Sequence, residues 1–231
     1  MASLSLLPFR GTPHQLAAIA ELERSMPQGI LDDNSSWFEA WRASGIDQEV
    51  FLPKYYRQLD LPNGYRMCFT SAAAMVARFH GRVVDDEEYY RIREKYGDTS
   101  SVSAQGKALT SLGLQVRFVQ DATAQQVEHE IDQGRVVLVG WLHSGDLLRG
   151  EPPMCGSDSC GHWSVIHGYA GKYSSDSEWI MSDPRGMPDM AHGGHNDALS
   201  GYRVRVRQAE FYQRWQADGP DTGWAIFVDK L

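Results

Sequence analysis

Apolar residues along this chain recur mostly at helical spacing up to about residue 134, then in continuous runs or strict alternation. In "TPHQLAAIAELERSMP" Thr12 is an N-cap and Pro13 the first helical residue, with Leu16, Ile19, Ala20 and Leu22 along one face. "SSWFEAWRASG" predicts a second short helix, capped by Ser35 or Ser36, that buries Trp37, Phe38 and Trp41. "VFLPKYYRQLD" reads as an extended segment, "LPNGYR" as a turn, and the alanine-rich residues 66–80 as a closely packed helix. "DDEEYYRIREKYG" opens on acids, where a helix N-terminus favours negative charge, and stops at a glycine. Four consecutive acids point in four directions around a helix, so a solvated helix start is expected there rather than a metal site. A helix over 103–112, the strand "LQVRFV" and the helix "TAQQVEHEIDQG" follow.

The later segments are strands. "RVVLVGWLH" is a continuous, β-branched run of the kind a buried strand requires. "HWSVIHGYAG" and "EWIMSDP" predict two more strands joined by a polar turn, and "YRVRVRQ" alternates as a strand with one wet face. The helix "AEFYQRWQA" and the strand "GWAIFVD" close the chain. Helices first and strands afterwards is an α+β pattern, with helices expected against an antiparallel sheet. Residues 1–50 read as a helical N-terminal extension and 51–231 as the main domain, since fifty residues is marginal for an independent core.

Composition narrows the function. The 231 residues are 42% hydrophobic and carry a formal net charge of −8. That charge argues against nucleic acid as the main partner, because phosphate neutralisation needs clustered Lys and Arg. No apolar run approaches the roughly 20 residues that span a bilayer. "MASLSLLPFRG" lacks the basic opening of a secretory signal, so the chain is expected to be made in a cytoplasm, with delivery to a cell wall or a virion left open. The oligomeric state is not legible.

Three cysteines are placed unevenly. Cys155 and Cys160 sit close together in "MCGSDSCGHW", while Cys68 stands alone at the head of the helix over 66–80. A helix start favours a thiolate, so Cys68 is a candidate nucleophile. Such a thiol needs a base, a group that orients the base, and donors for an oxyanion. His162 begins a strand after a glycine-rich loop, Asp183 ends the next strand, and adjacent antiparallel strands bring such a pair together. Gln58, ten residues before Cys68, offers a side-chain amide for the oxyanion.

These residues carry a family resemblance. "Q58…C68" opening a helix, "GHWSVIHGY" with His162, and "DP" with Asp183 resemble the C39-like branch of papain-fold cysteine peptidases. "LTSLGLQVRFV" and "IDQGRVVLVGWLH" fit the same family's spacing; the resemblance covers residues 51–185 well and the later strands more loosely. It implies Cys68 as nucleophile, His162 as base and acid, Asp183 as orienter and Gln58 in the oxyanion hole, with no cofactor. Met67-Cys68-Phe69 departs from the Asp-Cys-Gly of the bacteriocin-processing members, which weakens a leader-peptide role. "EVFLPKYYRQLD" through "REKYGDT" is also similar to soluble bacteriophage-encoded members suspected of cutting cell-wall peptides, which implies a peptidoglycan stem peptide as substrate. The same triad would serve a transamidase, and a non-catalytic binding protein on a degenerate papain-like fold remains the third reading.

Each residue has a rival explanation. His167 lies on the opposite strand face from His162 and is expected to be a satisfied interior histidine. Asp183 could serve only to open an Asp-Pro turn. Cys155 and Cys160 have three readings: a disulfide, which is favoured, two free thiols, or a zinc site completed by His192 and His195. The segment 187–202 reads as a long loop near Asp183, with His192 and His195 at its surface. Trp141, Trp163, Trp179 and Trp224 are expected in the core, with Trp163 a candidate cleft wall.

Overall fold

The computed structural model describes residues 45–153, 161–172 and 175–230. The helices expected within the first 44 residues, and Cys155 and Cys160, lie outside the described residues. The chain divides into two compact units, 1–44 and 45–231, of which only the second is described here. None of the described helices is long and apolar enough to cross a membrane.

The unit is a mixed α/β fold with an antiparallel sheet. Its strands are β1 (Ile46–Glu49), β2 (Leu114–Ala122), β3 (Val137–Leu142), β4 (Gly161–Ala170), β5 (Glu178–Ser182), β8 (Val204–Arg207) and β9 (Gly223–Lys230). They run in the order β2-β9-β3-β4-β5-β8, with β1 paired to β4 as well. A separate two-stranded ribbon, β6 (Met187–Pro188) with β7 (His195–Asn196), lies within the loop expected over 187–202. The helices are α1 (Cys68–Phe79), α2 (Asp86–Arg93), α3 (Val102–Ser111), α4 (Ala124–Asp132) and α5 (Gln208–Trp215).

Local chemistry sets the helix boundaries. Asp85 caps α2 by accepting from the Glu88 amide, and the acids that follow occupy its first turn. Thr123 and Gln126 close a capping box at the start of α4. By contrast, α1 starts at Cys68 with no side-chain cap from the residue before it. Its alanines 72, 73, 74 and 77 are fully buried, which lets the helix lie close to the sheet.

Two sequence expectations change: Trp224, expected in the core, is exposed, and residues 46–49 form a strand rather than helix. "VFLPKYYRQLD" forms no regular strand: Pro53 interrupts it, and it ends in a 3₁₀ turn at Gln58–Asp60, while a second 3₁₀ turn, Gly64–Arg66, falls in the expected turn "LPNGYR". The strand Ile46–Glu49 falls inside the stretch read as helical extension and pairs with residues 168–170 of β4.

β4 organises the site. Its first half pairs with β3 over 161–166, and its second half with β5 and β1. Because side chains alternate, His162 and Ser164 share a face with Trp141, whose Nε1–H donates to the Ser164 hydroxyl at 2.9 Å. Trp163 faces the other side, stacked on Phe69 of α1 with ring centroids 3.9 Å apart. Gly140 leaves the space that this indole fills: a Cβ there would lie 2.9 Å from Trp163 Cζ2.

Candidate active site

Asp183 follows β5 directly, is fully buried, and gathers donors from three segments. His162 Nε2 lies 2.9 Å from each of its carboxylate oxygens. The Ser164 hydroxyl donates to Oδ2 at 2.8 Å and the Arg185 amide to Oδ1 at 2.9 Å. His195 Nε2 lies 3.3 Å from Oδ2. Burial works against the Asp183 charge, but the His162 imidazole and the hydrogen bonds from His162 and His195 overcome it and hold the carboxyl far below its usual range.

His162 is buried, and burial pushes its imidazole down to about 4 against the pull of Asp183. An ionised carboxylate only accepts hydrogen bonds, so the His162 proton sits on Nε2 and Nδ1 keeps a lone pair. Cys68 is partly accessible. Burial pushes its thiol up to about 11, opposed by the backbone N–H groups of Trp163 and Phe69. The Trp163 amide therefore meets the thiol one residue from His162, and Asp183 is close enough to raise the thiol further.

Gln58 is buried, and its amide N–H donates to the Gly64 carbonyl at 2.7 Å. One side-chain hydrogen therefore braces the turn before Cys68, and the second is left over. Its Oε1 has no hydrogen-bond partner among the described residues. The Gln58 backbone donates to Pro184 O at 2.8 Å, tying the segment before Cys68 to the one after Asp183. The Tyr55 hydroxyl adds a bond to Asp183 O at 2.8 Å.

The two rival histidines separate as expected. His167 is fully buried on the opposite face, where it contacts Val50 O at 3.2 Å and the Ser182 hydroxyl at 3.0 Å. His192 is exposed and bonds Asp189 at 3.0 Å. His195, expected at the surface, is corrected: its side chain is wholly buried against Asp183. The zinc reading also needs Cys155 and Cys160, which lie outside the described residues; of its histidines, one is exposed on Asp189 and the other buried on Asp183. Ligand atoms of His162, Asp183 and His195 do lie within 4.8 Å of one another, but they are already joined by hydrogen bonds.

Sequence reasoning missed Ser164, His195 and Arg214. Ser164 was within reach of strand alternation, two residues from His162 on the same face. Arg214, on α5, is fully buried and donates to the carbonyls of Met190 at 2.8 Å, Ser144 at 2.8 Å and Gly145 at 3.0 Å. It pins the loop that carries His195 to the end of β3.

A helix opening on a cysteine, packed against a sheet that carries a buried His–Asp pair, defines the class: a cysteine-type peptidase of papain-like fold. The sequence model of the Peptidase_C39 like family matches residues 53–221, and the chain belongs to that family. A Bacillus anthracis protein described as a C39-like peptidase superposes with a TM-score of 0.52 at 14% identity, over 80% of this chain and 98% of that one. The peptidase domain of Streptococcus ComA, a bi-functional ABC transporter involved in a quorum sensing pathway, gives 0.46 at 18% identity, over 72% and 93%. A double glycine motif protease from an AMS/PCAT transporter, solved with its leader peptide, gives 0.45 at 17%, over 80% and 96%. No curated protein matches the chain in sequence.

Proposed function

We propose that the protein hydrolyses peptide bonds through Cys68, His162 and Asp183. The observation that carries this reading is the His162 tautomer: both Asp183 oxygens engage Nε2, which leaves Nδ1 as the base for a thiol that meets the neighbouring Trp163 amide. In this mechanism Nδ1 takes the Cys68 proton as sulfur attacks the carbonyl carbon. The imidazolium this leaves stands on the Asp183 carboxylate, so neither of those charges is buried alone. The Cys68 amide, uncapped at the start of α1, and the second Gln58 N–H hold the oxyanion. His162 returns its proton to the leaving amine, and then activates the water that releases the acyl group.

The substrate class we propose is a peptide or isopeptide bond of bacterial peptidoglycan, as in a bacteriophage lysin acting at the cell wall. It rests on the likeness of residues 49–99 to soluble phage-encoded members. The test is release of new amino groups from purified sacculi by the wild-type chain and by Cys68→Ala. Release only by wild type supports both the nucleophile and the wall substrate. Release by Cys68→Ala refutes the mechanism. Intact sacculi beside cleavage of an unrelated peptide refute the wall substrate alone.

A further inference from the structure

We propose that His195 is a positioning residue of this site: its Nε2–H holds the Asp183 carboxylate in the orientation that His162 needs. The proposal rests on the peptidase reading above.

Asp183 and the His195 side chain are both wholly buried, 3.3 Å apart. Since the carboxylate can only accept, His195 carries its proton on Nε2. Its Nδ1 has no hydrogen-bond partner among the described residues, and a bare ring nitrogen is less costly there than a buried N–H without an acceptor. The tautomer follows from that one contact and from the unpartnered Nδ1.

The carboxylate is thereby fixed at both ends. Oδ1 is held by the Arg185 amide, Oδ2 by Ser164 and His195, and the resulting plane presents both oxygens to His162 Nε2. His195 also restricts the ring it serves. Its centroid is 4.4 Å from that of His162, and Trp141 lies 5.2 Å from His162 and 5.6 Å from His195. The His162 imidazole is therefore walled on these sides by ring contacts. His195 thus acts through Asp183 and the ring packing to set where the base points.

The donor arrives from a segment with no place in the Cys–His–Asp set. His195 sits on β7, and the turn before it is docked by the Gly194 amide on His143 O at 2.7 Å. Gly193 could not be replaced without contact, since a Cβ there would lie 2.6 Å from Gly145 O. The loop is therefore seated rather than draped.

Three substitutions separate a donor from a filler. His195→Phe keeps a ring without a donor; His195→Gln places an amide N–H near the Nε2 position; His195→Asn places it near Nδ1, out of reach. The readouts are iodoacetamide alkylation of Cys68 at neutral pH, the downfield NMR resonance of the His162 Nε2 proton, and the thermal midpoint. The expected result is that Phe and Asn slow alkylation about tenfold, the factor for one lost hydrogen bond to a charged group, and broaden that resonance. Gln should keep the wild-type rate and signal. If His195→Phe fails to fold, Gln against Asn still decides. Equal behaviour of Gln and Asn, or wild-type reactivity in Phe with the resonance intact, overturns the proposal. Wild-type alkylation that does not depend on His162 overturns the peptidase reading and this proposal together; dependence on His162 without dependence on the His195 donor overturns the proposal alone.

Discussion

Replacing Gly140 by alanine sets a methyl group against an indole that is held from its other side. The new Cβ would lie 2.9, 3.0 and 3.1 Å from Trp163 Cζ2, Cε2 and Cη2. Carbon atoms rest at about 3.5–4.0 Å, so the ring must retreat by roughly half an ångström or more. Its retreat is blocked by Phe69, stacked at 3.9 Å between centroids with planes 6° apart. Overpacking of this kind costs about 1–3 kcal/mol, and a loss of about 2 kcal/mol lowers the melting temperature of a domain this size by roughly 4–8 °C. The push also reaches the site, because Phe69 follows Cys68 and Trp163 follows His162. Gly140→Ala should therefore lower both the urea midpoint and the alkylation rate of Cys68. The double variant with Trp163→Phe, which lacks the clashing six-membered ring, should recover more than about 0.5 kcal/mol of the loss. Unchanged stability in Gly140→Ala, within about 0.5 kcal/mol, would show that the sheet gives way freely and would refute the argument.

Acid should destabilise the protein through its buried histidines. Burial lowers His162 and His167 from 6.5 to about 4, so the unfolded chain binds more protons than the folded one between those values, and stability falls as pH drops through that window. Each histidine contributes a slope of up to about 1.4 kcal/mol per pH unit, and chemical denaturation across the window should show His167→Gln removing one such proton. Arg214→Met removes the guanidinium bonds to the carbonyls of Met190, Ser144 and Gly145, and a loss above about 3 kcal/mol is expected by urea titration. Gly201→Ala places a Cβ 2.0 Å from Asp183 O, so the backbone at the carboxylate must shift; Cys68 alkylation should slow with it, and an unchanged rate would argue that Asp183 does not orient the base.

Much of the fold could be read in the sequence because burial there follows period. The helix behind Cys68 and the runs that became β3, β4 and β5 each advertise one spacing, and the odd separation of His162 and His167 places them on opposite faces. His195 carried no such signal. It sits in a loop without periodicity, and its burial is decided by carbonyls seated on Arg214, about twenty residues further on. The strand Ile46–Glu49 was equally hidden, since its polar residues have little side-chain preference and gain their conformation from the open edge of β4. The His162–Asp183 contact was legible because adjacent strand ends suggest which groups can meet, and Ser164 follows from alternation; the contributions of Arg185 and His195 were not, since they arrive from outside the sheet.

β4 is also interrupted. Its pairing with β5 shifts between Ile166 and Gly168, so one extra residue is accommodated and the facing pattern resets. Up to Ile166 the even-numbered residues share the face of His162; beyond the shift, odd-numbered Tyr169 points to that side, where its hydroxyl reaches Asp132 of α4. The two ends of the strand are thus phased independently. A change of length among residues 45–50 or 171–177 can be absorbed at the shift, while His162 and Ser164 stay in step with Trp141.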